Sequence, residues 1–125
     1  MNWLLVAAGG AVGTLCRYGL ARLGMRLAGE SWFPWGTFAA NVLGSFLLGV
    51  VFVAAEGRSV LGVDARLVLG TGVMGGFTTY SSFNLEALKL LTESGLGKGG
   101  AYLAGTLVCC LGAGAVGLAA GRAMS

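Results

Sequence analysis

The sequence contains no histidine and only five acidic residues among 125. Histidine is the commonest general acid or base near neutral pH, and no nucleophile–base pair takes its place, so an enzyme is not expected. Cysteine is sparse: Cys16, Cys109 and Cys110 all lie in apolar runs, and no CxxC occurs. Without histidine or a CxxC motif no zinc site is expected. The three thiols read as buried, free, small packing residues that give no information on redox compartment. Charge is also scarce, at 10% of residues, whereas soluble domains carry about 25%. The formal net charge is +3, but the eight basic residues are scattered singly. That pattern gives no basic patch, so no nucleic-acid partner is expected. No lysine or arginine precedes the first apolar run, which therefore does not read as a cleaved signal.

What is present is apolar. Hydrophobic residues make up 56% of the chain, and mean hydropathy is +0.83. The 24 glycines show no collagen period and suit membrane helices, where glycine is more frequent than in soluble ones. The expectation is an all-α, multi-pass protein of the cell (inner) membrane, with residues 1–125 forming a single four-helix transmembrane domain in the lipid bilayer.

The first span runs from about Trp3 to Leu23, and its Gly9 and Gly13 form a small-xxx-small pair suited to close helix packing. Arg17 and Tyr18 lie near its far end. Arg17 reads either as snorkelling to the headgroups, or as an anion-attracting vestibule residue or interhelical clamp. A connection with Arg26, Gly29, Glu30 and Ser31 leads to an interfacial aromatic cluster, Trp32, Phe33 and Trp35, around Pro34, the one proline, near a helix start. The second span, about Gly36 to Ala55, carries Thr37, Asn41, Ser45 and Gly49 at spacing four, hence on one face. An amide in hydrocarbon must find partners, so Asn41 is either interhelical glue or a solute-facing pore amide. The polar turn from Glu56 to Arg66 precedes a third span, about Leu67 to Leu91. The fourth runs from about Gly100 to Gly121, with Tyr102, Thr106 and Cys110 on one face and a second small-xxx-small pair, Gly117 and Gly121.

The third span contains GTGVMGGFTTYSSFNLE, Gly70 to Glu86. Four glycines weaken a helix there, and Thr78, Thr79, Ser81 and Ser82 carry hydroxyls that compete for its backbone. In lipid, broken backbone survives only where protein covers it or water lines it. The stretch therefore reads as a helix interrupted in mid-membrane at a site for an ion or polar solute. Tyr80 and Phe83 share a face beyond the break, and Glu86 and Lys89 approach the far surface.

Four spans place both termini and the 56–66 turn on one side, with Arg58, Arg66 and Arg122. The other side has Arg22, Arg26 and Lys98, with Lys89 near the boundary. Orientation follows the lysine and arginine imbalance of short loops, and here that imbalance nearly vanishes. Dual topology and an antiparallel homodimer are the expectation, an inverted-repeat arrangement made from two chains.

Three segments together carry a specific resemblance that spans Gly9 to Tyr102. Gly9-Gly10-Ala11-Val12-Gly13-Thr14-Leu15-Cys16-Arg17-Tyr18 resembles the GGxxGxxxRY motif of the Fluc (CrcB) family of fluoride channels. Gly36-Thr37, Asn41 and Gly44-Ser45-Phe46-Leu47-Leu48-Gly49 resemble its second-span motif, and GGFTTYSSF at Gly75–Phe83 resembles its third-span GGFTTFSTF. The resemblance implies passive fluoride export through two pores in an antiparallel dimer, with a structural Na+ at the dimer interface held by the backbone carbonyls of Gly75 and Thr78. It makes Asn41 a pore residue, puts Tyr80 and Phe83 at the positions of paired pore phenylalanines, and places Ser81, Thr79, Tyr102 and Thr106 in the polar lining or its surroundings. Tyr80 departs from the usual phenylalanine, so its hydroxyl either adds a donor or narrows the path. Cys110 stands on the fourth-span stripe where a stronger hydroxyl donor is expected. Glu86 reads as a structural partner of a backbone or basic group.

Two other classes fit parts of the sequence. A small dual-topology multidrug or cation exporter shares size and charge balance, but its proton exchange needs a membrane-buried acid. Glu86, near a span end, is the one candidate. A non-transporting assembly subunit would explain the glycine pairs but not the hydroxyl-rich break.

Overall fold

The computed structural model describes residues 2–29 and 31–124; Glu30, in the first connection, lies outside them. Two long apolar helices come first, α1 (Asn2–Ala28) and α2 (Trp35–Ala54). Pro34 sits immediately before α2, where a missing N–H costs nothing. A minimal antiparallel ladder follows, β1 (Ser59–Val60) and β2 (Val63–Asp64), which the all-helical expectation did not include. Its two-residue turn places Leu61 and Gly62 at positive φ, 51° and 82°, as a primed hairpin turn requires.

The third span is assembled from pieces. Residues Arg66–Met74 are wound as a π-helix, with the Gly75 N–H donating to the Gly70 carbonyl five residues back. One α turn, α3 (Gly75–Phe77), ends at an extended pair, Thr78 and Thr79. The chain resumes as α4 (Tyr80–Lys89), unwinds into a π-turn at Leu90–Ser94, and passes into α5 (Leu96–Met124). Among the described residues, α1, α2 and α5 are each continuous and apolar enough to cross a membrane. The molecule is thus a mostly helical, multi-pass membrane protein.

Packing follows the glycines. A Cβ on Gly9 would lie 3.0 Å from the Val68 carbonyl oxygen, and one on Gly76 would run into the Gly10 carbonyl. The α1 backbone therefore touches that of the third span directly. On the other flank, a Cβ on Gly121 would come within 2.9 Å of the Val50 carbonyl oxygen, and one on Gly117 would overlap that of Phe46. Both small-xxx-small pairs thus serve the close helix approach that motivates them. Arg66 ties the end of α2 to the third span: its Nε donates to the Phe52 carbonyl at 2.6 Å, its guanidinium lies 4.3 Å over the Phe52 ring, and Nη2 stands 3.7 Å from Glu56.

Two expectations are corrected. Cys16 and Cys109 are exposed on the outer faces of their helices, and only Cys110 is half-buried. The outside of a membrane helix is apolar too, so an apolar run does not by itself mean burial in protein. The glycines of the third span do not make the break. Gly70, Gly72, Gly75 and Gly76 all stay helical, and the chain opens two residues later.

Candidate functional site at the broken third span

Extended backbone at Thr78 and Thr79 removes helical donors from the carbonyls before it. The Thr79 N–H, which would bond the Gly75 carbonyl in a continuous helix, donates instead to Asn41 Oδ1 at 2.8 Å. The Ser82 N–H, which would bond the Thr78 carbonyl, donates to Thr79 Oγ1 at 3.2 Å and caps α4. Gly75 and Thr78 are thus left with carbonyl oxygens stripped of their helical donors. Such oxygens suit a hard cation, which takes several oxygen ligands.

Other groups at the break are satisfied by neighbouring helices. Asn41 on α2 donates from Nδ2 to the Thr79 carbonyl at 3.0 Å, so one amide meets both polar groups of one peptide position. It is nearly buried, at 9% exposure. From α1, Arg17 Nε donates to the Gly76 carbonyl at 3.3 Å, and Thr14 Oγ1 reaches the same oxygen at 3.5 Å. Of the readings open for Arg17, the structure shows the interhelical clamp.

Beside the break lies a cleft of about 330 Å³ whose lining includes Asn41, Thr78, Thr79, Tyr80, Phe83 and Thr106. The rings of Tyr80 and Phe83 meet edge-on with centroids 6.0 Å apart. Tyr80 is 76% exposed in the single chain. Phe83 leans on Tyr102 at 5.2 Å, and Tyr102 stands perpendicular to Phe33 at 5.3 Å. Tyr102 is fully buried, yet its hydroxyl, like that of Thr106, has no partner among the described residues. A buried hydroxyl without a partner costs free energy, so each of the two calls for an explanation.

The 115 residues 4–118 match the model of the CrcB-like protein, Camphor Resistance (CrcB) family. The chain belongs to the CrcB family. It is 46% identical over 122 residues to the "Fluoride-specific ion channel FluC" of Agrobacterium fabrum, covering 98% of this chain and 97% of that one. The protein of the same name from Sorangium cellulosum is 48% identical over 121 residues, covering 97% and 94%. That of Anaeromyxobacter sp. is 47% identical over 108 residues, covering 86% and 85%.

In this CrcB chain the structure gathers Asn41, Thr79, Tyr80, Phe83 and Thr106 around one cleft. Tyr102 lies behind it, in the core with Ala87 and Leu90. Ser81 lies apart from the cleft wall, with its hydroxyl 3.4 Å from that of Thr79. Glu86 accepts from Thr37 Oγ1 at 2.6 Å, a hydroxyl partner that the sequence pattern did not point to. Cys110 does line the cleft, next to Thr106. The sequence reading missed Thr14, the Thr37–Glu86 pair, and Phe33 as the support of Tyr102. Thr37 lay on the stripe with Asn41 and could have been paired with the one acid of the third span. Nothing in spacing alone joins Thr14 to Gly76, 62 residues away.

Proposed function

We propose that this chain is the subunit of a fluoride-selective ion channel that lets cytoplasmic fluoride leave passively down its electrochemical gradient, two pores to an antiparallel dimer. The observation that carries this reading is the cleft at the broken third span. Donor-bearing side chains, ring edges and the unpartnered Thr106 hydroxyl converge there, in a chain whose relatives bear the name fluoride-specific ion channel. Fluoride is small and strongly hydrated, so a pathway has to replace its water with other donors. Asn41, Thr79 and Thr106 supply amide and hydroxyl donors, while Tyr80 and Phe83 can turn the positive edges of their rings towards an anion. A channel subunit of this kind is not an enzyme.

The open carbonyls of Gly75 and Thr78 would hold a structural Na+. A fixed cation lowers the electrostatic barrier for a nearby anion. Two carbonyls are fewer ligands than a hard cation takes, so a second copy has to complete the shell. The nearly equal loop charges favour insertion both ways up, and an apolar groove of about 610 Å³ along Ser45, Leu48, Gly49 and Leu111 continues from the cleft as a surface for that copy. No observation favours a multidrug exporter, since Glu86 is engaged with Thr37.

Fluoride efflux from liposomes containing the purified protein tests the proposal, with chloride as the control anion. Fluoride-specific efflux is expected; an equal chloride leak, or no efflux, rejects it.

A further inference from the structure

The break strips helical donors from a run of carbonyls, but they do not end alike. The Thr79 carbonyl is taken by Asn41, and the Gly76 carbonyl by Arg17 and Thr14. Gly76 lies between Gly75 and Thr78, and the Phe77 carbonyl, whose helical donor would be the Ser81 N–H, is likewise left without a partner among the described residues. The helical donor of Gly76 would be the Tyr80 N–H, but Tyr80 starts the next helix beyond the extended pair. Two donors from α1 stand in for that one lost bond. They can do so because α1 meets the third span backbone to backbone: a Cβ on Gly13 would come within 2.8 Å of the Phe77 nitrogen, and one on Gly76 would strike Gly10.

We infer that Arg17 and Thr14 are positioning residues for the cation site: by occupying the Gly76 carbonyl they fix the orientation of the peptides on either side and leave Gly75 and Thr78 as the oxygens presented to the ion. The inference rests on the reading of those carbonyls as a cation site. Its physical basis is competition. An unpaired Gly76 carbonyl in a low-dielectric setting seeks any available donor or cation. It can do so only by turning its peptide plane, which also carries the Gly75 and Phe77 geometry away from the arrangement the ion needs. The contact is made by Nε, the nitrogen nearest the backbone, so the role belongs to a donor at that reach and not to the guanidinium charge.

That distinction makes the inference testable. Glutamine places its Nε2 amide at the reach of arginine Nε, whereas methionine has similar length and no donor. Both remove the charge, so any difference between them isolates the hydrogen bond. The readout is the thermal unfolding temperature of the detergent-purified dimer against NaCl, with N-methyl-D-glucamine chloride holding ionic strength constant. Wild type is expected to gain stability with sodium along a saturable curve. The half-saturating sodium concentration should be roughly tenfold higher for Arg17→Met than for Arg17→Gln, the span of one charge-independent hydrogen bond with its partner left unpaired. Thr14→Val, which keeps the charge and the first donor, should give a smaller rise of about threefold, and serves if Arg17→Met fails to fold. Equal half-saturation for the two Arg17 variants, or an unchanged curve for Thr14→Val where Arg17→Met is lost, overturns the inference while leaving the cation site standing. A wild-type curve that does not respond to sodium overturns the cation site and the inference with it.

Discussion

Asn41 answers a backbone problem and, on the proposed function, a transport problem with one amide. Its bond from the Thr79 N–H replaces a ladder bond that the extended residues give up, its second bond adds a donor to the Thr79 carbonyl, and the side chain also borders the cleft. Asn41→Leu would leave the Thr79 N–H unpaired, at about 1–3 kcal/mol. Fluoride efflux should be lost and the melting temperature lowered; a variant that conducts normally removes Asn41 from the pathway. Tyr80 is the opposite case. Its ring is mostly exposed and its hydroxyl has no hydrogen-bond partner among the described residues, so Tyr80→Phe should leave stability unchanged. A hydroxyl contributes roughly 0.5–1.5 kcal/mol to a polar contact, so efflux should change by up to about tenfold in either direction, with fluoride still preferred over chloride. A chloride leak in that variant would show that the hydroxyl carries selectivity, contrary to this expectation.

At the scale of elements, the glycines and the hydroxyl residues divide the work of the third span. The glycines let helices touch and the threonines open the chain. The π-wound segment before the break belongs to the same design, since widened turns inside helices recur at functional sites. Where the space is used, added bulk should be costly. A side chain at Gly117 would collide with the Phe46 carbonyl, whereas Gly112, on the same helix, has nothing within 4 Å. Gly117→Val should destabilise by about 1–3 kcal/mol or more, seen as a lower melting temperature in detergent, and Gly112→Val should not. Equal behaviour of the two would mean that α2 and α5 do not meet through Gly117. The hairpin and Arg66 do a quieter job, anchoring the start of the third span to the end of α2 so that the break falls opposite Asn41.

For the whole molecule, orientation is the decisive property. Counted on the four-span reading, three basic residues on the side of the 56–66 turn and both termini would face three or four on the other. Adding Ser59→Lys and Ala123→Lys, both at exposed positions, should tip insertion one way, because lysine in short loops is retained on the cytoplasmic side. Tag accessibility at the C-terminus should then be one-sided, whereas the unmodified chain is expected to label from both sides. Expressed alone, the biased chain should also lose fluoride efflux for want of an antiparallel partner. Retained efflux from one-sided chains would rule out the antiparallel dimer.

By itself the sequence determined the membrane setting, the approximate limits of the three continuous apolar helices, the two glycine pairs at helix contacts, and the existence of a break between Gly70 and Glu86. Each of these is a local property of composition or periodicity. Hydropathy and spacing act over one helix length, so they can be read without knowing what lies alongside. The tertiary structure decided where the chain opens, which carbonyls stay open, and who satisfies the others. Those outcomes depend on donors that arrive from other helices: Asn41 from α2, and Thr14 and Arg17 from α1. A backbone carbonyl has no side-chain signature of its own, and its fate is written only in the neighbour that reaches it.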